Sequence, residues 1–260
     1  MPIPAAGYPL TAALSPRVQV VETTDSTNAD VVAAVTSDPA GWPHLSLLIT
    51  DDQRAGRGRL DRTWTAPAGT ALAVSVVVDA GRIPMAARGW IPLAAGAAMT
   101  RAVNARLSGH GSKAELKWPN DVLVDGAKIC GILAEAVPGT LDTVVVGSGI
   151  NTRMTRADLP VSTATSFAAI GLEVDEDRLL ADYLEALAGF LSHLSEGDIA
   201  HVHRDIEKLC ATVGREVSVS LPDGTTVQGR AERLDEEGRL VVGSGTIQTV
   251  VSAGDVVHVR

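Results

Sequence analysis

Apolar and polar positions along this chain switch between a two-residue and a three-to-four-residue period, and the switches mark its elements. "VQVVE" (18–22) reads as a short strand. It runs into "DSTNADVVAAV", where Ser26 or Thr27 can cap a helix carrying Val31, Val32 and Val35. "LSLLIT" (45–50) and "ALAVSVVV" (71–78) are unbroken apolar runs of strand length, the pattern of strands covered on both faces. "GWIPLAAGAAMTRAVNARL" (89–107) has apolar residues at helical steps and predicts a long packed helix. Asp125-Gly126 is a hairpin turn between "DVLV" and "KICGILAEA", and "TVVVGSGINT" (143–152) supplies a further strand. Residues 175–211 predict two amphipathic helices, with Leu179, Leu180, Tyr183, Leu184, Leu187, Phe190, Leu191 and Leu194 on the core stripe of the first. From Val213 the texture changes to short alternating strands broken by "PDG", "EEG" and "AGD". The expected architecture is α/β of the α+β type: a leader (1–17), a mixed β-sheet flanked by helices (18–212), and a small C-terminal β-barrel (213–260) docked on it.

Composition narrows the function classes. The 260 residues are 45% hydrophobic and 20% charged, which suits a globular protein. A net charge of −9 opposes the broad basic face of a general nucleic-acid binder, so no DNA partner is expected. Cys130 and Cys210 form no CxxC pair and are read as structural thiols in a reducing compartment, which points to the cytoplasm. No basic residue precedes Arg17 and no apolar run reaches the ~18 residues of a membrane span, so neither export nor a membrane role is expected. His201 and His203 stand two apart in a helix, point to different faces, and are read as surface residues.

The local charge contradicts the global one. "TDDQRAGRGRLDRTW" (50–64) carries Arg54, Arg57, Arg59 and Arg62 around Gly56 and Gly58, between two core strands. It is either a solvated loop or a backbone and guanidinium cradle for an anion. "LKWPNDV" brings Lys117, Trp118, Asn120 and Asp121 to a bend at Pro119, suited to a nucleotide phosphate and Mg2+, or else a turn bonding its own backbone. In "AKICGILAE", regular pairing puts Lys128 and Cys130 on one face and Ile129 and Gly131 on the other. Lys128 is then a functional cation or a snorkelling edge lysine. "VVGSGIN" fails the dinucleotide fingerprint, since Thr152 stands where the third glycine would fall. Gly147 and Gly149 leave room for a flat ligand instead, with Asn151 as donor and acceptor.

In this order, "DSTN", "QRAGRGR", "KWPNDV", "KICGIL" and "VVGSGIN", followed by a small barrel, closely resemble the biotin protein ligases over about residues 20–152. The resemblance implies an enzyme that forms biotinyl-5'-AMP from biotin and ATP and passes biotin to a lysine of the carboxyl-carrier domain of a biotin-dependent carboxylase. It implies that Ser26, Thr27 and Asn28 bond the ureido ring, that Gln53 and the Gly56–Arg59 segment (Gly56, Arg57, Gly58, Arg59) close over biotin, and that Gly131 and Gly149 let it approach the sheet. Lys128 and Arg59 would act on the reacting carboxylate and α-phosphate. Arg62, Trp64, Lys117, Asn120, Asp121, Lys128 and Asn151 would serve the nucleotide, with Trp64 stacking on adenine. Mg2+ would be held mainly by the ATP phosphates, with Asp121 a candidate ligand, and no tightly bound redox cofactor is expected. About twenty residues precede "TTDSTN", too few for the helix-turn-helix of repressor relatives, so repression is not expected. Leu60 and Asp61 depart from the small or basic residues of relatives at these loop positions. The alternatives are a lipoate or octanoate ligase and a non-catalytic biotin-binding regulator; a monomer or weak homodimer is expected.

Overall fold

The computed structural model describes residues 7–60, 62–140 and 142–259, so Asp61 of the arginine segment lies outside the described residues. A short helix α1 (Pro9–Ala12) precedes β1 (Val18–Val20), which runs parallel to β2 (Leu47–Thr50); helix α2 (Thr27–Ser37) joins them. Ser26, in extended conformation, caps α2 by accepting from the Ala29 N–H at 3.4 Å. Between β2 and β5 (Ala71–Asp79), the arginine segment folds as a two-stranded ribbon of β3 (Gly56–Arg57) and β4 (Thr63–Trp64). Helix α3 (Trp90–Arg106) leads to β6 (Ala114–Lys117), β7 (Asp121–Val124), β8 (Ala127–Ala136) and β9 (Thr143–Asn151). Helices α4 (Glu176–Ser195) and α5 (Ile199–Leu209) follow, then β10 (Glu216–Ser220), β11 (Thr226–Leu234), β12 (Leu240–Ser244), β13 (Ile247–Val251) and β14 (Asp255–His258).

The main sheet has the order β1-β2-β5-β9-β8-β7-β6, antiparallel except for β1 with β2. The Asp125-Gly126 hairpin forms as expected, with φ of 50° and 85° at the two residues. The mixed sheet and the predicted order of helices are therefore as the sequence reading has them. One face packs on α3, itself covered by α4: Leu72, Val74, Val76 and Val78 of β5 join Leu93, Met99, Tyr183 and Leu187 in the larger core. The other face carries α2, whose Val31 and Val35 share a smaller core with Leu48, Val77 and Val145. Among the described residues, no helix is long and apolar enough to cross a membrane.

The C-terminal strands form an antiparallel sheet in the order β13-β12-β11-β10-β14, with a register shift between Ala231 and Arg233. This is the expected small β domain, with its end strands β13 and β14 not paired to one another among the described residues. It is keyed to helix α3 and the β6–β7 turn by two buried tryptophans: Trp90 Nε1 donates to the Glu236 carbonyl at 2.8 Å and Trp118 Nε1 to the Gly238 carbonyl at 3.0 Å. Each bond satisfies an indole donor that burial would otherwise strand. A Cβ on Gly89 would lie 2.5 Å from the Glu237 carbonyl oxygen, so the two bodies meet backbone to backbone there with no room for a side chain.

Candidate active site

Three central strands supply very small residues to the face that α2 flanks. Ala73 and Ser75 of β5 pair with Gly149 and Gly147 of β9, and Gly149 and Gly147 pair in turn with Gly131 and Leu133 of β8. The result is a floor with almost no side chains in the middle of a sheet. Three larger groups lie on it. A Cβ on Gly147 would overlap the Asn28 amide, one on Gly149 would come 2.6 Å from the Trp64 ring, and one on Gly131 would come 3.1 Å from Lys128 Nζ. Above the floor is a cavity of ≈170 Å³. A larger groove of ≈460 Å³ adjoins it toward the C-terminal sheet, the two sharing Arg59, Asn120, Ile132 and Leu133.

The position of Lys128 corrects the regular-alternation expectation. The β7–β8 register shifts so that Val122 faces Cys130 while Leu123 faces Lys128, which leaves Ile129 as the extra residue of a bulge. Ile129 and Cys130 are both buried in the core, and Lys128 is turned to the same side as Gly131. Its Nζ lies 2.5 Å from Asp121 Oδ1. Bulges beside active sites re-aim a side chain in this way.

The arginine ribbon is pinned at three points. Arg57 pairs with Glu135 of β8 at 3.1 Å, Arg59 Nη1 donates to Asn120 Oδ1 at 2.9 Å, and Arg62 pairs with Asp255 of β14. Asn120 is held in turn by its Nδ2 donating to the Ile132 carbonyl at 2.8 Å. Burial pushes the Arg59 guanidinium below the ordinary arginine value, with Asp255 and Asp121 opposing the shift, and burial lowers Lys117 similarly against Asp121. Arg54 turns away and pairs with Asp52 at 3.1 Å, with its side chain 64% exposed. The ribbon's glycines are not in the left-handed region; that conformation falls to Leu60, at φ 54°. Gly56 is needed for close approach, since a Cβ there would overlap Gln53 Nε2 and the Trp64 carbonyl.

At the far end of the cavity, Gln53 Oε1 accepts from the Thr27 N–H at 2.8 Å and lies 3.1 Å from Thr27 Oγ1. Ser75 Oγ, buried in β5, lies 2.8 Å from Thr27 Oγ1 and 2.6 Å from Asn28 Oδ1. Asn28 Nδ2 donates to Glu135 Oε2 at 2.7 Å and to the Leu133 carbonyl at 3.2 Å. Among the described residues, Gln53 Nε2 donates to nothing.

Fourteen of the seventeen expected positions line this one cavity: Ser26, Thr27, Asn28, Gln53, Arg57, Gly58, Arg59, Arg62, Trp64, Asn120, Asp121, Lys128, Gly131 and Gly149. Gly56 supports the ribbon from behind. Lys117 stands outside the lining, near Asp121 and Lys128. Asn151 donates to the Thr165 carbonyl at 2.9 Å and lines a neighbouring recess on the other side of Trp64. Asp255, Glu135 and Ser75 went unsuspected in the sequence. Ser75 alone left a signal, as the one polar residue in "ALAVSVVV". For a metal, Asp121 and Asp255 are the cavity's acids among the described residues, and each is paired with a cation. His193, Asp198 and His201 also bring ligand atoms within 4.8 Å of one another at the α4–α5 junction, where the two imidazoles stack at 4.1 Å.

The profile of the biotin/lipoate A/B protein ligase family matches residues 20–151, and that of the biotin protein ligase C-terminal domain matches 212–259. The chain is 38% identical over 248 residues to the Biotin--[acetyl-CoA-carboxylase] ligase of Mycobacterium tuberculosis, covering 94% of this chain and 90% of that one. It is 28% identical over 245 residues to the ligase of the same name from Paracoccus denitrificans, covering 90% and 97%. The fold matches that of the Aquifex aeolicus biotin protein ligase in complex with biotin and ATP with a TM-score of 0.77, over 94% of this chain and 99% of that one, at 23% identity. With the motifs gathered on one cavity and both profiles matched in order, the chain belongs to the biotin protein ligases of the biotin/lipoate A/B protein ligase family.

Proposed function

We infer that this protein is an ATP-dependent ligase that activates biotin as biotinyl-5'-AMP and transfers it to a lysine of a carboxyl-carrier domain. The observation that carries this reading is the convergence of Lys128, Arg57, Arg59 and Arg62 on a floor with almost no side chains, whose other end is lined by Ser26, Thr27, Asn28 and Gln53. A carboxylate and a triphosphate repel one another, by about 4 kcal/mol for unit charges 4 Å apart near a protein surface. Fixed cations between them offset that repulsion and the charge that develops in transfer.

In the first step a biotin carboxylate oxygen attacks the α-phosphorus of ATP, the bond to the bridging oxygen breaks, and pyrophosphate leaves. In the second, the unprotonated amine of the carrier lysine attacks the acyl carbon, an amide forms, and AMP leaves. Ser26, Thr27, Asn28 and Gln53 receive the ureido ring, with Gln53 Nε2 and the second lone pair of Asn28 Oδ1 still available to it. Such a site rejects a plain acyl chain, because its polar groups would be buried without partners. Lys128 and Arg59 hold the carboxylate and α-phosphate. Arg62, Lys117, Asn120, Asp121 and Asn151 serve the nucleotide, and Trp64, between the cavity and the neighbouring recess, stacks on adenine. Mg2+ enters with ATP, held mainly by its phosphates. The ribbon, closed over the site, keeps water from the mixed anhydride. We assign residues 18–212 as the catalytic domain and 213–260 as the C-terminal domain, with the protein acting in the cytoplasm as a monomer or weak homodimer and without DNA.

Biotin-dependent exchange of labelled pyrophosphate into ATP tests the reading. Exchange with biotin and not with lipoate is expected. Exchange with lipoate would make the protein a lipoate-type ligase, and exchange with neither would leave a binding module.

A further inference from the structure

Asn28 is an amide, and an amide shows a donor or an acceptor to a cavity depending on which way it is turned. On Ser26, Thr27 and the backbone around them nothing forces that choice. The choice is made across the sheet, chiefly by Glu135. Its Oε2 accepts from Asn28 Nδ2 at 2.7 Å, which leaves Oδ1 over Gly147 and next to Ser75 Oγ. The Leu133 carbonyl, at 3.2 Å, adds a weaker pull in the same sense. Both donors of the amide are thereby used, and one lone pair of Oδ1 is left for a ligand N–H. The same Glu135 oxygen receives Arg57 Nη2 at 3.1 Å. One carboxylate therefore fixes the polarity of the ring-binding pocket and anchors the first strand of the arginine ribbon.

We propose that Glu135 is a positioning residue for biotin recognition. It turns Asn28 so that the cavity presents an acceptor to a ureido N–H, and it couples that pocket to closure of the ribbon through Arg57. The inference rests on the ligase reading above. It requires no contact between Glu135 and substrate. Loss of the carboxylate leaves the Leu133 carbonyl, at 3.2 Å, as the remaining acceptor for Asn28 Nδ2, so the amide is held less firmly with Oδ1 toward the cavity, and it frees Arg57 at the same time. The loss falls on biotin and not on the nucleotide, because Arg59, Arg62 and Lys128 keep their own partners, Asn120, Asp255 and Asp121.

The test compares the unsubstituted protein with Glu135→Ala and Glu135→Gln in pyrophosphate exchange, with thermal midpoints recorded for all three. Glutamine keeps an acceptor for Asn28 and loses the charge that holds Arg57. The expected result for the alanine variant is a biotin KM raised about tenfold, the scale of one charge-assisted hydrogen bond, with ATP KM and kcat within about twofold. The glutamine variant should fall between the two, at about threefold. Biotin analogues with either ureido N–H replaced by oxygen supply a readout that a merely structural role would not move. For the analogue lacking the N–H that meets Asn28, the alanine variant should lose no further affinity relative to the unsubstituted protein. An unchanged biotin KM in both variants, or equal rises in the biotin and ATP KM values, would overturn the assignment; if the alanine variant does not fold, the glutamine variant and the analogues decide alone. Absence of biotin-dependent exchange in the unsubstituted protein would overturn the ligase reading, and the Glu135 assignment with it.

Discussion

Strand β5 has two sides that obey different rules. Leu72, Val74, Val76 and Val78 point into the large core, where each is buried among branched and aromatic neighbours and the requirement is volume. Ala73 and Ser75 point the other way, onto the cavity floor, where the requirement is the absence of volume and one well-placed hydroxyl. Both sides are buried, so burial alone does not distinguish them. A packed side tolerates any apolar group of the right size, whereas the floor tolerates almost no change of size but can lose a group without unfolding the sheet.

Substitutions on the two sides should separate stability from activity. The largest effect is expected from Leu72→Ala, which empties a fully buried site and should cost about 2–5 kcal/mol of unfolding free energy. Urea midpoints would measure that loss, while kcat/KM per folded molecule should stay near that of the unsubstituted chain. Gly147→Ala should do the reverse. The new methyl overlaps the Asn28 amide and displaces it, and a misplacement on the order of 1 Å can lower kcat/KM for biotin by about 100-fold. Its thermal midpoint should move little; a large fall with normal activity would mean that the floor is core and not site.

The smallest effect sharpens the contrast from the packed side. Glu176, at the start of α4, is buried and lies 2.6 Å from Arg153. Burial pushes its carboxyl above the ordinary value of 4.5, against the charge of Arg153. A raised carboxyl contributes stability in its protonated form, present below pH about 4.5 and lost as pH rises through the folded-state value. Glu176→Gln removes that titration. The gap between variant and unsubstituted protein in urea midpoint should therefore shift in the variant's favour from pH 4.5 upward, with no matching change in the pH profile of exchange.

Much of the site was legible in the sequence because its parts are local. Ser26 caps a helix, Pro119 bends a loop and Asp125-Gly126 turns a hairpin, and each of these depends on neighbours a few residues away. The misreadings were of another kind. The expected pairing of Lys128 with Cys130 on one face failed because a single bulge shifts everything after it by one residue. Of the two uses open to the ribbon's glycines, Gly56 serves close approach, and the left-handed conformation is taken by Leu60. Glu135 and Asp255 were missed because each meets its partner across 78 and 193 residues of sequence.

The sequence by itself determined the elements and their order, since periodicity, capping and turn geometry act within a few residues. Tertiary structure decided how those residues face one another. Pairing of β5, β9 and β8 turned scattered Ala73, Ser75, Gly131, Gly147 and Gly149 into one floor. Docking of the C-terminal sheet through Trp90 and Trp118 brought Asp255 to Arg62. Those contacts depend on strand register and on the fit of two surfaces, which are settled by the packing of the whole chain.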